Sequence, residues 1–213
     1  MYVPEFPSFR NLTRDDKMLL DGFFHSIQPL ISELTFTNLF VWNSSEPVLL
    51  SRFEETIMLQ RARIRDAKTC LLPPLGRQII TDFVRSIRTQ NPNNHLPPLY
   101  GLTAEESEML VKEGWKVTSD RDDWDYVYLT SDLADLPGDK YHSKRNFIRR
   151  CLSENDCRYA SIGPQEISDC LQLQTKWCNL RKCSEDPSLE GENTAIRTFF
   201  ENYELLGTTG GAV

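Results

Sequence analysis

The chain holds no uninterrupted run of about eighteen apolar residues, the length a membrane-spanning helix needs, so stable membrane insertion is not expected. Its first residues, "MYVPEFPSFR", have neither a basic start nor an apolar stretch, and no secretory signal is expected either. An excess of positive charge is also missing. The 24 Lys and Arg residues stand against 31 Asp and Glu, a net charge of −7. That balance excludes the broad positive field needed for non-specific binding to nucleic acid or an anionic membrane surface, so any polyanion has to dock locally. The six cysteines, Cys70, Cys151, Cys157, Cys170, Cys178 and Cys183, contain no C-x-x-C pair, which argues against a zinc site, and no metal is expected. Scattered thiols in a chain of 213 residues fit a reducing compartment better than a disulfide framework. These absences together predict a cytoplasmic protein. No G-x-S-x-G hydrolase signature occurs.

What is present suffices for a core: 39% of residues are hydrophobic and 26% charged. "SFRNLTRDD" reads as a short strand ending at a cap at Thr13, and "DDKMLLDGFFHSI" follows at helical period. "SELTFTNLFVW" is a second helical stretch. "PVLLSRFEETIMLQRARI" carries two extended runs around "RFEE", the pattern of a hairpin. "TCLLPPLG" is a short strand stopped by prolines, and "RQIITDFVRSIRTQ" places Ile79, Ile80, Phe83 and Ile87 on one helical stripe. "LPPLYGL" is another short strand. "TAEESEMLVKEGW" opens with a capping box from Thr103 to Glu106, and "KVTSD" and "DYVYLTSDL" are expected to be two further strands. The order is strand, helix, helix, three strands, helix, strand, helix, two strands. That order matches the Gcn5-related N-acetyltransferase (GNAT) fold.

After a basic helix from Lys140 to about Glu154 the pattern restarts. "CRYASI" reads as a strand, "PQEISDCLQLQTKWCNLRK" as a helix with Pro164 in its first turn, "ENTAIRTFFENYELL" as a helix, and "LGTTGGAV" as the start of the next strand. The expectation is an α+β protein of tandem GNAT-like fold, with a mixed central sheet flanked by helices. Residues 1–139 would form the first domain, 140–156 a connecting helix, and 157–213 the start of a second domain that is incomplete, because a half copy does not cover its own apolar faces. The alternative is a single domain with a helical appendage.

The segment "DKYHSKRNFIRR", residues 139–150, gathers five Lys and Arg side chains and a histidine with one acid. On a helical wheel Tyr141, Phe147, Ile148, Cys151 and Leu152 share one side, while His142, Asn146, Arg149, Arg150 and Ser153 share the other. Lys144 falls near the middle of the apolar side, where an ammonium must reach solvent or find a carboxylate, and Asp132 and Asp135 are the nearest upstream candidates. Such an internal pair is one reading. The other is a cationic surface for a phosphate-bearing donor, which makes Tyr141, Lys144, Arg145, Asn146 and Arg149 the candidate substrate-binding residues. Arg150 is expected on a solvated face.

"WDYVYLTSDLADLPGDKYHSKRNFIRR" closely resembles a motif of the family that forms the C-terminal part of bacterial phosphatidylglycerol lysyltransferases and that also occurs as free-standing proteins. The shared elements are "DYVYL", "DL..LPG" and "K.H.KRN"; "SELTFTNLFVW" and "FFENYELLG" are similar too. The resemblance implies a tandem GNAT-like architecture. By analogy it also implies transfer of an acyl or aminoacyl group from a carrier, an acyl-CoA or an aminoacyl-tRNA, to an amine or hydroxyl acceptor. Lys144, Arg145 and Asn146 occupy the family's motif positions. The lysyltransferases carry a large membrane-spanning part that this chain lacks, so a lipid acceptor is not expected.

Acetyl-CoA enzymes of this fold cradle pyrophosphate on backbone N–H groups of a glycine-rich turn before the central helix. Here that turn reads "LPPLGRQII", in which Pro73 and Pro74 provide no donor and only Gly76 permits close approach. The first copy is therefore expected to be a poor coenzyme site, with no cofactor held by this chain itself. Structural roles are expected for His25, His95 and His142, and a solvated turn for Asp120, Asp122, Asp123 and Asp125. A non-catalytic binding or scaffolding protein is the competing functional reading.

Overall fold

The computed structural model describes residues 2–90, 92 and 96–213; His95 lies outside them. Strand β1 (Arg10–Asn11) leads to Thr13, whose N–H donates to the Asp16 carboxylate at 2.8 Å, and a 3-10 turn then starts helix α1 (Lys17–Ile27). Asp16 is fully buried and is held by both terminal nitrogens of Arg10. Helix α2 (Phe36–Trp42) begins at Thr35, whose hydroxyl accepts from Asn38 N–H; the residues from Ser32 to Leu34 form a turn instead of extending the helix.

The predicted hairpin is present as β2 (Val48–Phe53) and β3 (Thr56–Ala62), closed by the Phe53–Thr56 pair with Glu54 at φ +53°. With β4 (Thr69–Leu71) the order is β1-β2-β3-β4, antiparallel throughout. Alternation along the strands feeds two cores. Leu50 and Leu59 face Leu20, Phe36 and Leu39 of α1 and α2, whereas Phe53 and Met58 face the other side. There they meet α3 (Ile80–Gln90), which buries Ile80, Phe83, Val84 and Ile87. Ile79, one position before the helix, is left 55% exposed. The chain then returns beside β4: Leu71 N–H donates to Pro98 O and Tyr100 N–H to Leu71 O, both at 2.9 Å, a parallel bridge one residue wide. Helix α4 (Ala104–Lys112) follows with its capping box intact at Thr103 and Glu106.

From here the structure departs from the expected order. "KVTSD" and "DYVYL" are extended but join no sheet, and Trp124, Tyr126, Val127, Tyr128 and Leu129 are all exposed. Their alternating pattern suits a strand, but a strand also needs an edge to pair with. Helix α5 (Thr130–Asp135) and a 3-10 turn at Asp139–Tyr141 lead into α6 (His142–Glu154), the basic helix. Beyond it β5 (Ala160–Ser161) pairs antiparallel with β6 (Gly211–Ala212) around α7 (Pro164–Arg181), α8 (Pro187–Glu201) and α9 (Tyr203–Leu206). Helix α8 packs on α2. It also comes close to Ile64 at Gly191, where an added Cβ would stand 3.1 Å from Ile64 Cδ1, and it places Ala195 in the same core as Leu39.

The cysteines are not all free thiols: Cys178 and Cys183 are disulfide-bonded, a pairing that scattered spacing did not suggest. Among the described residues no helix is long and apolar enough to cross a membrane.

Candidate functional site

Gly138, at φ +71°, turns the chain into the basic helix through a conformation that side chains disfavour. Two cations secure that turn. Lys140 Nζ donates to Asp132 at 2.8 Å and lies 4.8 Å from the centre of the Tyr141 ring, and the Tyr141 hydroxyl reaches the same carboxylate oxygen at 3.3 Å. The hydrogen bond from Lys140 holds Asp132 below the usual carboxylate range, and Asp132 in turn raises Lys140. Arg145 reaches back to the carbonyls of Leu136 and Gly138, the latter at 2.8 Å. Of the five candidates, then, half-buried Tyr141 and Arg145 are tied into the turn.

Lys144, Asn146 and Arg149 are exposed on α6. Among the described residues, no carboxylate lies within ion-pair distance of Lys144 or Arg149. The pair expected for Lys144 is not formed, since Asp132 is taken by Lys140. The physical reason is that the apolar side of α6 is open: Phe147 is 55% and Leu152 61% exposed, so an ammonium beside them already reaches water. Asn146 sits 3.4 Å from the His142 ring, and the Arg150 guanidinium lies 5.3 Å from the Phe147 ring centre.

A second feature was not foreseen. Between β4, α3, the returning segment at Leu99 and α4 lies a groove of about 1740 Å³. Phe83, Leu99, Leu110 and Trp115 line it, and the strap from residue 116 to residue 127 runs along it. Charged groups close its mouth. The Arg63 guanidinium stacks 4.1 Å from the Tyr100 ring centre, 3.7 Å from Asp66 and 3.9 Å from Asp123. Arg65 pairs with Asp120 and, at 3.2 Å, with Asp123. These arginines alternate with Arg61 in "RARIR", every second residue of an extended run, and that spacing was the available signal. The turn is exposed, as expected, but Asp120 and Asp123 also serve as anchors; Arg65 lowers Asp120 through its hydrogen bond. Burial, followed by the hydrogen bond with Asp123, holds the Tyr100 hydroxyl well above the ordinary phenol range. Burial likewise pushes the Cys70 thiol up to about 11, which makes it a poor nucleophile near neutral pH.

At the "LPPLG" turn the backbone is already engaged. Leu75 N–H donates to Ile57 O and Ile57 N–H to Leu75 O, both at 2.9 Å, and an added Cβ at Gly76 would meet Thr56 Oγ1 at 2.8 Å. His25 is exposed in the last turn of α1. Among the described residues no group of three or more His, Cys, Asp or Glu is placed to hold a metal ion.

Residues 24–213 match the profile of a family described as "Phosphatidylglycerol lysyltransferase, C-terminal". Among solved structures the chain is similar to a conserved protein of unknown function from Bacteroides thetaiotaomicron VPI-5482, with 25% sequence identity and a TM-score of 0.81. The match covers 95% of this chain and 70% of that one. No curated protein matches the sequence.

Proposed function

The chain belongs to the phosphatidylglycerol lysyltransferase C-terminal family, and from that premise we propose that it is an acyl- or aminoacyl-transferase-like protein of tandem GNAT-like fold. It moves the group from a carrier to an amine or hydroxyl acceptor. The antiparallel order β1-β2-β3-β4, the crossover through α3 and the parallel return at Leu99 support the first GNAT-like unit over residues 1–139. The strand, helices and strand from β5 to β6 support a second, partial one over 157–213, with residues 140–156 as the connector.

The observation that carries the reading is the division of labour on the basic segment. Lys140 and Arg145 are consumed in holding the turn, while Lys144 and Arg149 stay free for a ligand and Asn146, beside the His142 ring, is exposed between them. Exposed cations without a carboxylate partner suit the phosphates of a carrier better than its acyl group. An aminoacyl-tRNA is favoured over an acyl-CoA as donor, because the N–H of Leu75 in the "LPPLG" turn is already donated. That donor belongs in the cytoplasm, where charged tRNA is found. The acceptor's lone pair attacks the donor carbonyl, the carrier's oxygen or sulfur leaves with a proton, and no covalent enzyme intermediate is needed.

The competing reading is a non-catalytic binding protein. It is favoured by the state of the groove, where Tyr100 and Cys70 are both held protonated and Asp66, Asp120 and Asp123 are paired with arginines. Discharge of a panel of aminoacyl-tRNAs over an amine-rich acceptor pool, with acetyl-CoA consumption followed in parallel, separates the two. Discharge of one charged tRNA supports transfer, acetyl-CoA consumption moves the donor to coenzyme A, and silence with both overturns catalysis.

A further inference from the structure

Cys151 lies in the last turn of α6, and the chain folds back over it at once. Its carbonyl accepts from the backbone N–H of Asn155 at 3.0 Å and from the Asn155 side chain at 3.1 Å, and Cys157 N–H then donates to Asn155 O at 3.1 Å. This hook brings the two sulfurs to 3.5 Å, with Cys151 exposed and Cys157 half-buried. The other cysteines lack this arrangement: Cys70 is buried, Cys170 is a half-buried free thiol, and Cys178 and Cys183 are already bonded to each other.

We propose that Cys151 and Cys157 are a dithiol modification site, closed to an internal bridge by a low-molecular-weight disulfide. The proposal stands apart from the transfer reading. Cys151, the more accessible sulfur, attacks first: its thiolate forms a bond to one sulfur of the oxidant, and the other sulfur leaves as a thiolate. Cys157 then attacks the Cys151 sulfur and expels the second small thiol. The two cysteines are oxidised by two electrons, the small disulfide is reduced to two thiols, and both cysteine protons pass to them. The mutual hydrogen bond raises Cys157, which fits its role as the second group to react. Closure fastens the end of α6 to the segment entering β5, and so fixes the helix carrying Lys144 and Arg149 relative to α7 and α8.

Trypsin cleaves after Arg150 and Arg158 and releases residues 151–158 as one peptide that holds both sulfurs and no other cysteine. The full chain is equilibrated in glutathione buffers from reducing to oxidising, quenched with iodoacetamide and digested. The expected result is loss of the doubly alkylated peptide and its replacement by an unalkylated one lighter than the dithiol by two hydrogens. Cys157→Ser should instead accumulate a lasting glutathione adduct on Cys151. A wild-type peptide that stays doubly alkylated, or that retains glutathione without closing, overturns the proposal. Should Cys157→Ser fail to fold, the wild-type map alone decides.

Discussion

Asp125 holds Ser32 by two atoms: the Ser32 N–H donates to one carboxylate oxygen at 2.8 Å and its hydroxyl to the other at 2.9 Å, across 93 positions of chain. Together with Asp120 and Asp123 on Arg65, this clasp fastens the strap over the groove. Asp125→Ala should cost about 1 kcal/mol or less, because the contacts are solvent-exposed. Local opening is the more sensitive readout. Amide exchange at Ser32 and tryptic cleavage at Arg121 should both accelerate, and unchanged rates at both would show that the strap is held elsewhere.

Glu46 and Arg61 form an ion pair with only 10% of each side chain exposed, and Glu46 also accepts from Ile64 N–H at 2.9 Å. Removing one partner strands a buried charge, so Glu46→Ala should lose about 3–5 kcal/mol in urea unfolding. The double variant Glu46→Leu with Arg61→Met should lose less than the sum of the single changes. Strict additivity would argue against a coupled pair.

Burial alone would raise the pKa of Asp16, but the hydrogen bonds from Arg10 and the Thr13 N–H outweigh it, and the net shift is downward. A depressed folded-state value means that the stabilisation is fully present above the unfolded carboxylate pKa of about 3.9 and fades as pH falls through the folded one. Asp16→Asn should therefore destabilise the protein at pH 6–7 and differ less from wild type on acidification below about pH 4. Unfolding curves at matched pH values check this, and a gap that widened in acid would contradict the sign.

Lys144 and Arg149 are exposed, so Lys144→Met and Arg149→Met should leave stability within about 0.5 kcal/mol. Each should nonetheless weaken carrier binding by roughly tenfold, the worth of one charge-assisted contact. Arg145→Met should do the reverse, loosening the turn at Gly138 first, which amide exchange of residues 136–145 would record. Equal effects of all three on melting temperature would remove the distinction drawn between holding and binding residues.

Gly191 allows α8 to lie close against Ile64 and Ser45. Gly191→Val overpacks that contact and should cost about 1–3 kcal/mol. The loss should appear as faster exchange in α8 and at Ile64, whose side chain meets Gly191.

Local chemistry was readable from the sequence. The capping box at Thr103, the hairpin around Glu54 and Glu55, and three of the four stripe residues, Ile80, Phe83 and Ile87 but not Ile79, follow from spacing within a few residues. What escaped was set by distant partners. "DYVYL" has the composition of a strand but finds no edge, and the Arg63 and Arg65 pairs with Asp120 and Asp123 join segments more than fifty positions apart. The candidates Lys144, Arg145, Asn146 and Arg149 lie on one helix, whereas Lys140 and Tyr141, expected in it, belong to the 3-10 turn before it. Which of them face inward depended on the Gly138 turn, and a wheel does not contain that turn.

The core that begins with Leu20, Phe36 and Leu39 is completed by Ala195 and Leu206, so its last wall arrives late in synthesis. At about 5–20 residues per second, a ribosome takes on the order of ten seconds or more to travel from Leu39 to Ala195. Throughout that interval the outer side of α2 is an uncovered apolar surface on a nascent chain. This sequence should therefore depend on holding chaperones during translation more than its size alone would demand.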